Sequence, residues 1–147
     1  MPKVLHLFRA PRKRLPMESL NSAAAVTDRG LSGCAHARAT SKRQVLLVDR
    51  ETLDAMNLQP GIIRENITTD GLNVNGLSIG QRLRVGAALL EVSAVCTPCD
   101  QLEKVRPGLR REIYGRRGML CRVIEGGEIR VGDPIEKLQV TAERISR

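Results

Sequence analysis

Regular alternation of apolar and polar residues is strongest in the second half of the chain. Residues 82–85 alternate arginine with Leu and Val, and residues 90–94 alternate Leu, Val and Ala with polar positions. A period of two with one polar face is typical of antiparallel strands that cover a core on one side. Cys96 continues the inward parity of the second strand, so we expect it to face that core and to be partly buried.

The first half of the chain carries shorter patterns. Residues 3–8 and 23–26 are predicted strands, and the continuous apolar run at 44–49 indicates a buried strand. Asp49 is a suitable N-cap for a short helix that continues to Asn57. The stretch between the second and third strands is rich in glycine, which predicts tight turns.

The pattern after residue 99 predicts two short helices and then strands. A helical turn is expected over residues 100–105, and Leu109 and Ile113 lie four apart after Pro107, as in a helix. Further strands are predicted over residues 119–124, 128–131 and 135–140. The pair Gly126-Gly127 predicts a two-residue hairpin turn between the first two of these strands.

These elements predict a mostly β, barrel-like fold with a few short helices, in total eight to ten short strands and two or three helices. A chain of 147 residues suits one domain with a sizeable core. We therefore predict a single domain over residues 1–147, with its core at about 3–138 and a frayed tail at 139–147.

Composition narrows the classes of partner. The chain has one Phe, one Tyr and no Trp, which excludes base stacking on aromatic platforms as a main binding mode. Its net charge of +8 favours anionic partners, either nucleic acid or a phosphorylated cofactor. Most of the positive charge is arginine, whose planar fork suits phosphate.

The four cysteines are too few for a disulfide scaffold. The apolar run from Val4 to Phe8 is too short for a signal peptide, and no run approaches transmembrane length. We therefore expect a cytoplasmic protein with reduced thiols and no membrane partner.

The stretch Cys96-Thr97-Pro98-Cys99 is the strongest chemical signal. Cys99 lies beyond the end of the strand and before a helical turn, where helix amides favour a thiolate. Such a thiolate has three uses: to bind a metal, to carry sulfur, or to close a redox pair with Cys96. The alternative is a buried thiol that packs like a small apolar residue.

The order of several short motifs resembles the MOSC domain family, named after the C-terminal domain of molybdenum cofactor sulfurase and associated with pyridoxal phosphate enzymes. The matching pieces are Gly30-Leu31-x-Gly33-x-x-His36, Arg43-Gln44-Val45-Leu46-Leu47, Glu65-Asn66-Ile67, Gly80-x-x-Leu83-x-Val85-Gly86, Cys96-x-Pro98-Cys99, Gly118 and Val131-Gly132-Asp133. The length matches stand-alone members. One departure is Cys34, which stands where the family usually has an acidic residue.

The resemblance implies a β-barrel-type fold and a protein that binds molybdenum cofactor (molybdopterin) or delivers sulfur to it. In larger relatives that reduce N-hydroxylated compounds, a cysteine in a similar turn ligates molybdenum, and Cys99 matches it. Cys99 is therefore the candidate catalytic residue and metal ligand, or a sulfur carrier. Implied partners are a cysteine desulfurase-type sulfur donor or an electron-donating redox protein; whether the chain is itself an enzyme stays open.

Candidate cofactor-binding residues are those with phosphate or pterin hydrogen-bonding capacity near predicted loop or strand ends. They are Arg64, Asn66, Arg116, Arg117, Arg122 and His36. Arg116-Arg117 is favoured because Gly118 permits a close backbone approach. For Asn66 a structural role is slightly favoured. For His36 the options are a ligand, an acid–base group or a loop anchor.

Two alternatives belong to other classes. Cys34, His36, Cys96 and Cys99 together form a chemically sensible tetrahedral zinc set, although Cys34 and His36 lack the usual spacer. A basic nucleic-acid-binding barrel is the second alternative, supported by the charge and opposed by the missing aromatics.

Overall fold

The computed structural model describes residues 1–13 and 16–138, and strands dominate this part of the chain. The strands are β1 (Lys3–Arg9), β2 (Glu18–Leu20), β3 (Ser22–Val26), β4 (Gly30–Leu31), β5 (Val45–Asp49), β6 (Ile67–Asp70), β7 (Arg82–Val85), β8 (Ala88–Val95), β9 (Met119–Glu125), β10 (Gly127–Arg130) and β11 (Ile135–Lys137). The helices are α1 (Arg50–Ala55), α2 (Leu109–Glu112) and two 3-10 helices, Val74–Gly76 and Asp100–Lys104. None of these helices is long and apolar enough to cross a membrane.

Most strands coincide with the predicted ones, and β2, β4 and β6 lie where no strand is predicted. The side chain of Asp49 accepts a hydrogen bond from the amide of Thr52 at 3.1 Å, which confirms the predicted cap of α1. The end of the predicted strand 135–140 and the predicted tail 139–147 lie outside the described residues.

The large sheet curls on itself without closing. Eight strands follow the order β11-β7-β8-β9-β5-β6-β1-β2, and β10-β3-β4 form a second sheet. β2 pairs only with the end of β1. The start of β1 therefore forms hydrogen bonds with the residues that precede β11. There the amide of Val4 donates to the carbonyl of Asp133 at 2.9 Å, and the amide of Gly132 donates to the carbonyl of Val4 at 2.7 Å. This confirms the prediction of a mostly β, barrel-like fold.

Apolar residues on both faces of β5 belong to two separate clusters. Val45 and Leu47 face the larger cluster, which the two sheets enclose between them. Leu46 and Val48 face a second cluster, which is covered by α1, α2 and the helix Asp100–Lys104. Burial on both faces explains the continuous apolar run in the sequence.

A bulge in β8 decides which way Cys96 points. Val92 pairs with Cys121 and Ala94 pairs with Leu120, so Ser93 is an extra residue opposite β9. Such a bulge moves the following side chains to the other face of the sheet. Cys96 is buried, as expected, but it lies in the second cluster and not with Val92 in the first. The predicted direction of its side chain is therefore wrong.

The predicted hairpin at Gly126-Gly127 is also wrong. β10 forms as expected, but it pairs with β3 in the second sheet and not with β9. A Cβ atom on Gly126 would lie 2.6 Å from the carbonyl oxygen of Ala25, and one on Gly127 would lie 2.5 Å from that of Ala87. These glycines let the chain pass close to other backbone segments as it changes sheet.

Candidate cofactor-binding cleft

A cleft of about 250 Å³ opens on the helix-covered face of the large sheet. Three loops and the ends of β5 and β9 converge on it, so residues far apart in sequence share one wall. Its lining residues are His36, Arg43, Leu46, Ile62, Ile63, Arg64, Asn66, Cys96, Cys99, Gln101, Leu102, Val105, Arg117 and Leu120. Five of the predicted site residues are thus brought together: Cys99, Arg64, Asn66, Arg117 and His36.

The two cysteines of the C-x-x-C turn have different environments. Cys96 is 4% exposed, and its amide donates to the carbonyl of Gly118 at 3.1 Å. Cys99 is exposed at the start of the helix Asp100–Lys104, where its side chain makes no capping hydrogen bond. Both are free thiols. The predicted division into a buried Cys96 and an accessible Cys99 is confirmed, and the thiol of Cys99 lies on the cleft wall.

Arg117 gives the cleft its unused hydrogen-bonding capacity. Its side chain is 8% exposed, and its Nη2 donates to the carbonyl of Ile63 at 2.8 Å. Its Nε and Nη1 atoms are buried without a partner, and no ion pair within the described residues includes it. A buried guanidinium without a counter-charge is unfavourable unless a ligand supplies the missing acceptors.

The close packing of Gly118 against β5 fixes the backbone position of the neighbouring Arg117. Its φ is +112°, and a Cβ atom there would lie 2.4 Å from the carbonyl oxygen of Leu47. The close approach expected at this glycine is therefore to the backbone of β5. The consequence is that Arg117, one residue earlier, enters the cleft directly beside the sheet.

Asn66 lines the cleft with its hydrogen bonds already used. Its Oδ1 accepts from the amide of Leu46 at 2.9 Å. Its Nδ2 donates to the carbonyl of Phe8 at 3.2 Å and to Sγ of Cys34 at 3.4 Å. The side chain is completely buried. These contacts join β1 to β5, which agrees with the structural role favoured from the sequence.

Arg64 and His36 stand at the edge of the same cleft. Arg64 has a φ of +66°, a conformation that is uncommon for residues other than glycine, and its Nη2 donates to the carbonyl of Arg12 at 3.4 Å. His36 is half-buried and lies two residues after Cys34.

Two predicted cofactor residues lie elsewhere. Arg116 is exposed and does not line the cleft. Arg122 lies within β9, and its Nη2 donates to Oδ1 of Asp28 at 3.1 Å. The structure does not bring these two arginines to the cleft, because alternation along the chain separates Arg116 from Arg117 and because Arg122 has a carboxylate partner far away in sequence.

Other cleft residues escape prediction from the sequence. Gln101 and Arg43 add polar groups, and Ile62, Leu102 and Val105 form an apolar wall. Arg43 carries a signal only as part of the motif Arg43-Gln44, and the apolar residues are indistinguishable from core residues before the fold is known.

The predicted zinc set does not assemble. Within residues 1–13 and 16–138, no group of three or more His, Cys, Asp or Glu side chains is arranged to hold a metal ion. The thiol of Cys34 is engaged by Asn66 and by the amide of Ala10, while Cys99 is exposed on the cleft wall. The structural zinc alternative is therefore wrong.

The fold and the cleft define a small β domain in which a buried cation and a free thiol face the same space. Residues 32–136 match the MOSC domain. The chain belongs to the MOSC domain family, which is associated with molybdenum cofactor-related proteins.

Solved structures agree with this fold. The YuaD protein from Bacillus subtilis is similar with a TM-score of 0.77 and 22% identity, over 95% of this chain and 98% of that chain. YiiM from Geobacillus stearothermophilus gives 0.78 and 18% over 95% and 76% of the two chains. YiiM from Escherichia coli gives 0.69 and 21% over 92% and 70%. Comparison with curated protein sequences gives no significant match.

Proposed function

We propose that the cleft binds molybdenum cofactor and that the thiolate of Cys99 ligates its metal. The observation that carries this proposal is the meeting, in one cleft, of an exposed free thiol with the guanidinium of Arg117, whose Nε and Nη1 have no partner. Family membership supports a ligand of this class.

The residues present fit such a group. The Nε and Nη1 of Arg117 offer two donors to the pterin's phosphate, and Arg43 and Arg64 add positive charge around them. The apolar side chains of Ile62 and Leu102 offer a surface to a flat ring. A thiolate is a soft ligand of the kind that transition metals select.

Each side chain has a separate task. The exposed Cys99 would hold the metal, the buried Arg117 would hold the phosphate, and the apolar wall would keep water from the bound ligand. The bound metal supplies two-electron chemistry, for which we propose an N-hydroxylated compound as substrate and an electron-donating redox protein as partner.

Sulfur carriage by Cys99 is the second candidate, favoured by the exposure of this thiol and its lack of a capping bond. The thiolate of Cys99 would attack the terminal sulfur of a persulfide on a cysteine desulfurase-type donor. The donor's own thiolate leaves, and the persulfide is then on Cys99. Mass analysis of the peptide carrying Cys99, after incubation with such a donor, measures the added sulfur.

The metal-ligand proposal is tested in a host that makes the cofactor. Molybdenum and pterin are measured in purified wild type, in Cys99→Ser and in Cys121→Ala, which removes a buried thiol outside the cleft. We expect Cys99→Ser to retain much less molybdenum per protein while Cys121→Ala matches wild type. Equal molybdenum in wild type and Cys99→Ser would show that Cys99 is not a ligand.

A further inference from the structure

The loop at residues 61–66 forms one wall of the cleft, and it is held from behind by Glu65. Most residues of the loop line the cleft, but Glu65 does not, and its side chain is completely buried. Its Oε2 accepts hydrogen bonds from the amide of Gly61 at 2.8 Å and from Oγ1 of Thr68 at 2.9 Å. The carboxylate therefore ties the beginning of the loop to β6, the strand that follows it.

A carboxylate in this position is unfavourable for the fold. Oε1 of Glu65 is buried without a partner, and Glu65 forms no ion pair within residues 1–13 and 16–138. Burial of a charged group without a counter-charge costs free energy. What it supplies is a charged acceptor, which forms a stronger hydrogen bond to an amide than a neutral acceptor does.

The backbone of the loop needs a firm attachment. Arg64 has a φ of +66°, a conformation that is unfavourable for residues other than glycine. Its amide donates to the carbonyl of Gly61 at 3.0 Å, which closes the turn. Gly61 itself packs against Phe8, since a Cβ atom there would lie 2.9 Å from Cε1 of that ring. Without the bond from its amide to Glu65, the turn would be free to relax at Arg64.

The same turn orients Arg117. Nη2 of Arg117 donates to the carbonyl of Ile63 at 2.8 Å, and Ile63 lies inside the turn that runs from Gly61 to Arg64. This bond sets the plane of the guanidinium, and therefore the direction of its partnerless Nε and Nη1. A shift of the turn would move the carbonyl and turn these two donors away from a ligand.

We propose that Glu65 is a positioning residue of the cleft. Its bond to the amide of Gly61, here called the Gly61 clamp, holds the carbonyl of Ile63 in place and so directs the free donors of Arg117 towards an anion. Glu65 acts through the loop and not by contact with the ligand. The inference rests on the proposed function only in taking phosphate as the anion of this site.

The first test measures the affinity of the cofactor-free protein for inorganic phosphate, by calorimetric titration under conditions where every variant is folded. Glu65→Ala removes the Gly61 clamp and should weaken phosphate binding about tenfold or more. Glu65→Gln keeps an acceptor for the amide of Gly61 and should lose much less. Thr68→Val removes the other bond to Glu65 but leaves the clamp, so it should bind phosphate like wild type.

Two results of this titration would overturn the proposal. Wild-type affinity in Glu65→Ala would show that the loop needs no clamp to orient Arg117. Equal losses in Glu65→Ala and Glu65→Gln would assign the effect to the charge of Glu65 and not to its bond with Gly61.

A second test needs no ligand. Hydrogen exchange of the Arg64 amide reports whether the turn is closed, because this amide donates to the carbonyl of Gly61. Its exchange should be about tenfold or more faster in Glu65→Ala than in wild type and should change little in Glu65→Gln. The amide of Val131, which bonds to the carbonyl of Asn21 in another part of the fold, should exchange at the same rate in all three proteins.

Unchanged exchange at Arg64 in Glu65→Ala would overturn the clamp. A wild type that binds no phosphate would contradict the phosphate site itself, and the exchange of Arg64 would then still decide the clamp. Both tests omit molybdenum, so failure of metal binding by Cys99 leaves the role of Glu65 intact.

Discussion

The cleft around Arg117 and the polar cluster around Asp28 each contain one arginine and polar residues from distant loops; Arg117 lies just before β9, and Arg122 lies within it. In the Asp28 cluster, Oδ1 of Asp28 accepts from Arg122 at 3.1 Å and from Gln44 at 3.2 Å, and Oδ2 accepts from the amide of Thr40 at 3.2 Å. Although Nε of Arg122 has no partner, its charge is matched by Asp28. Arg117 has one carbonyl partner and no matching carboxylate among the described residues.

The comparison indicates that a candidate binding residue is marked by unused hydrogen-bonding capacity and an unmatched charge, and not by its amino-acid type. Arg117 and Arg122 are five positions apart, and both are candidate phosphate ligands on the sequence. Of these two arginines, Arg117 is the one without a carboxylate partner among the described residues. A buried site in this condition is held by the rest of the fold, and under the proposed function the ligand supplies its missing acceptors.

The largest effect on cofactor binding is expected when Arg117 is replaced by methionine. Arg117→Met removes two charge-assisted donors worth about 2 kcal/mol each, so the affinity for molybdenum cofactor should fall roughly thousandfold. The unfolding free energy should change by no more than about 1 kcal/mol, because an unmatched buried charge is lost together with one hydrogen bond. Cofactor content and denaturant unfolding measure the two effects.

Two controls accompany this variant. Arg122→Met should leave cofactor content unchanged and cost about 1 kcal/mol of stability, because it removes a half-exposed ion pair. Arg116→Met, an exposed neighbour, should change neither. Wild-type cofactor content in Arg117→Met would contradict a binding role for this arginine.

Asn66 separates location on the cleft from unused hydrogen-bonding capacity. It lines the cleft, but, like the residues around Asp28, its polar atoms already have partners within the protein. Asn66→Ala leaves the amide of Leu46 and the carbonyl of Phe8 without these partners, which should lower the unfolding free energy by about 3 kcal/mol. Under conditions where the variant is folded, cofactor content should stay near that of wild type. Gln44→Ala, which removes the partner of the Val123 amide, is the matched control and should be destabilised to a similar extent.

Cys34, next to the cleft, and Asp28 should affect stability in different pH ranges, with Cys34 acting at the higher pH. The pKa of Cys34 is lowered from 9.0 to about 7 on folding, so its thiolate stabilises the fold fully above pH 9 and this contribution is lost as the pH falls through 7. Relative to Cys34→Ser, wild type should gain on the order of 2 kcal/mol across that range. Unfolding measured at several pH values gives the difference; a constant difference would exclude a thiolate at Cys34.

Local sequence patterns predict much of this molecule, including the buried strand β5, the cap of α1 at Asp49 and the division between Cys96 and Cys99. Each depends on neighbours within a few residues. The bulge at Ser93 and the sheet change at Gly126 are set by contacts with distant strands, and local alternation carries no trace of them.

The candidate site also combines features that the local sequence indicates with features that only the complete fold determines. Residue types and spacing indicate Cys99 and Arg117, but the partner of Arg122 is 94 positions away, so its engagement is invisible along the chain. The unmatched state of Arg117 is likewise a property of the complete fold. The hydrogen bonds that Cys34 receives from Ala10 and Asn66 also give a structural role to a residue that, in sequence, is only a departure from the acidic residue usual in the family.

The smallest expected effect is at Asp28, on the satisfied side of the comparison. Hydrogen bonds from Gln44 and then Arg122 lower the pKa of Asp28 below 3.8, so its contribution to stability is present above that pH and is lost as the pH falls through the lowered value. Asp28→Asn should therefore lower the unfolding free energy slightly at neutral pH. It should also reduce the steepness with which the unfolding free energy falls below pH 4. It should leave cofactor content unchanged, and a loss of cofactor in this variant would show that the two regions are coupled through β5 and β9.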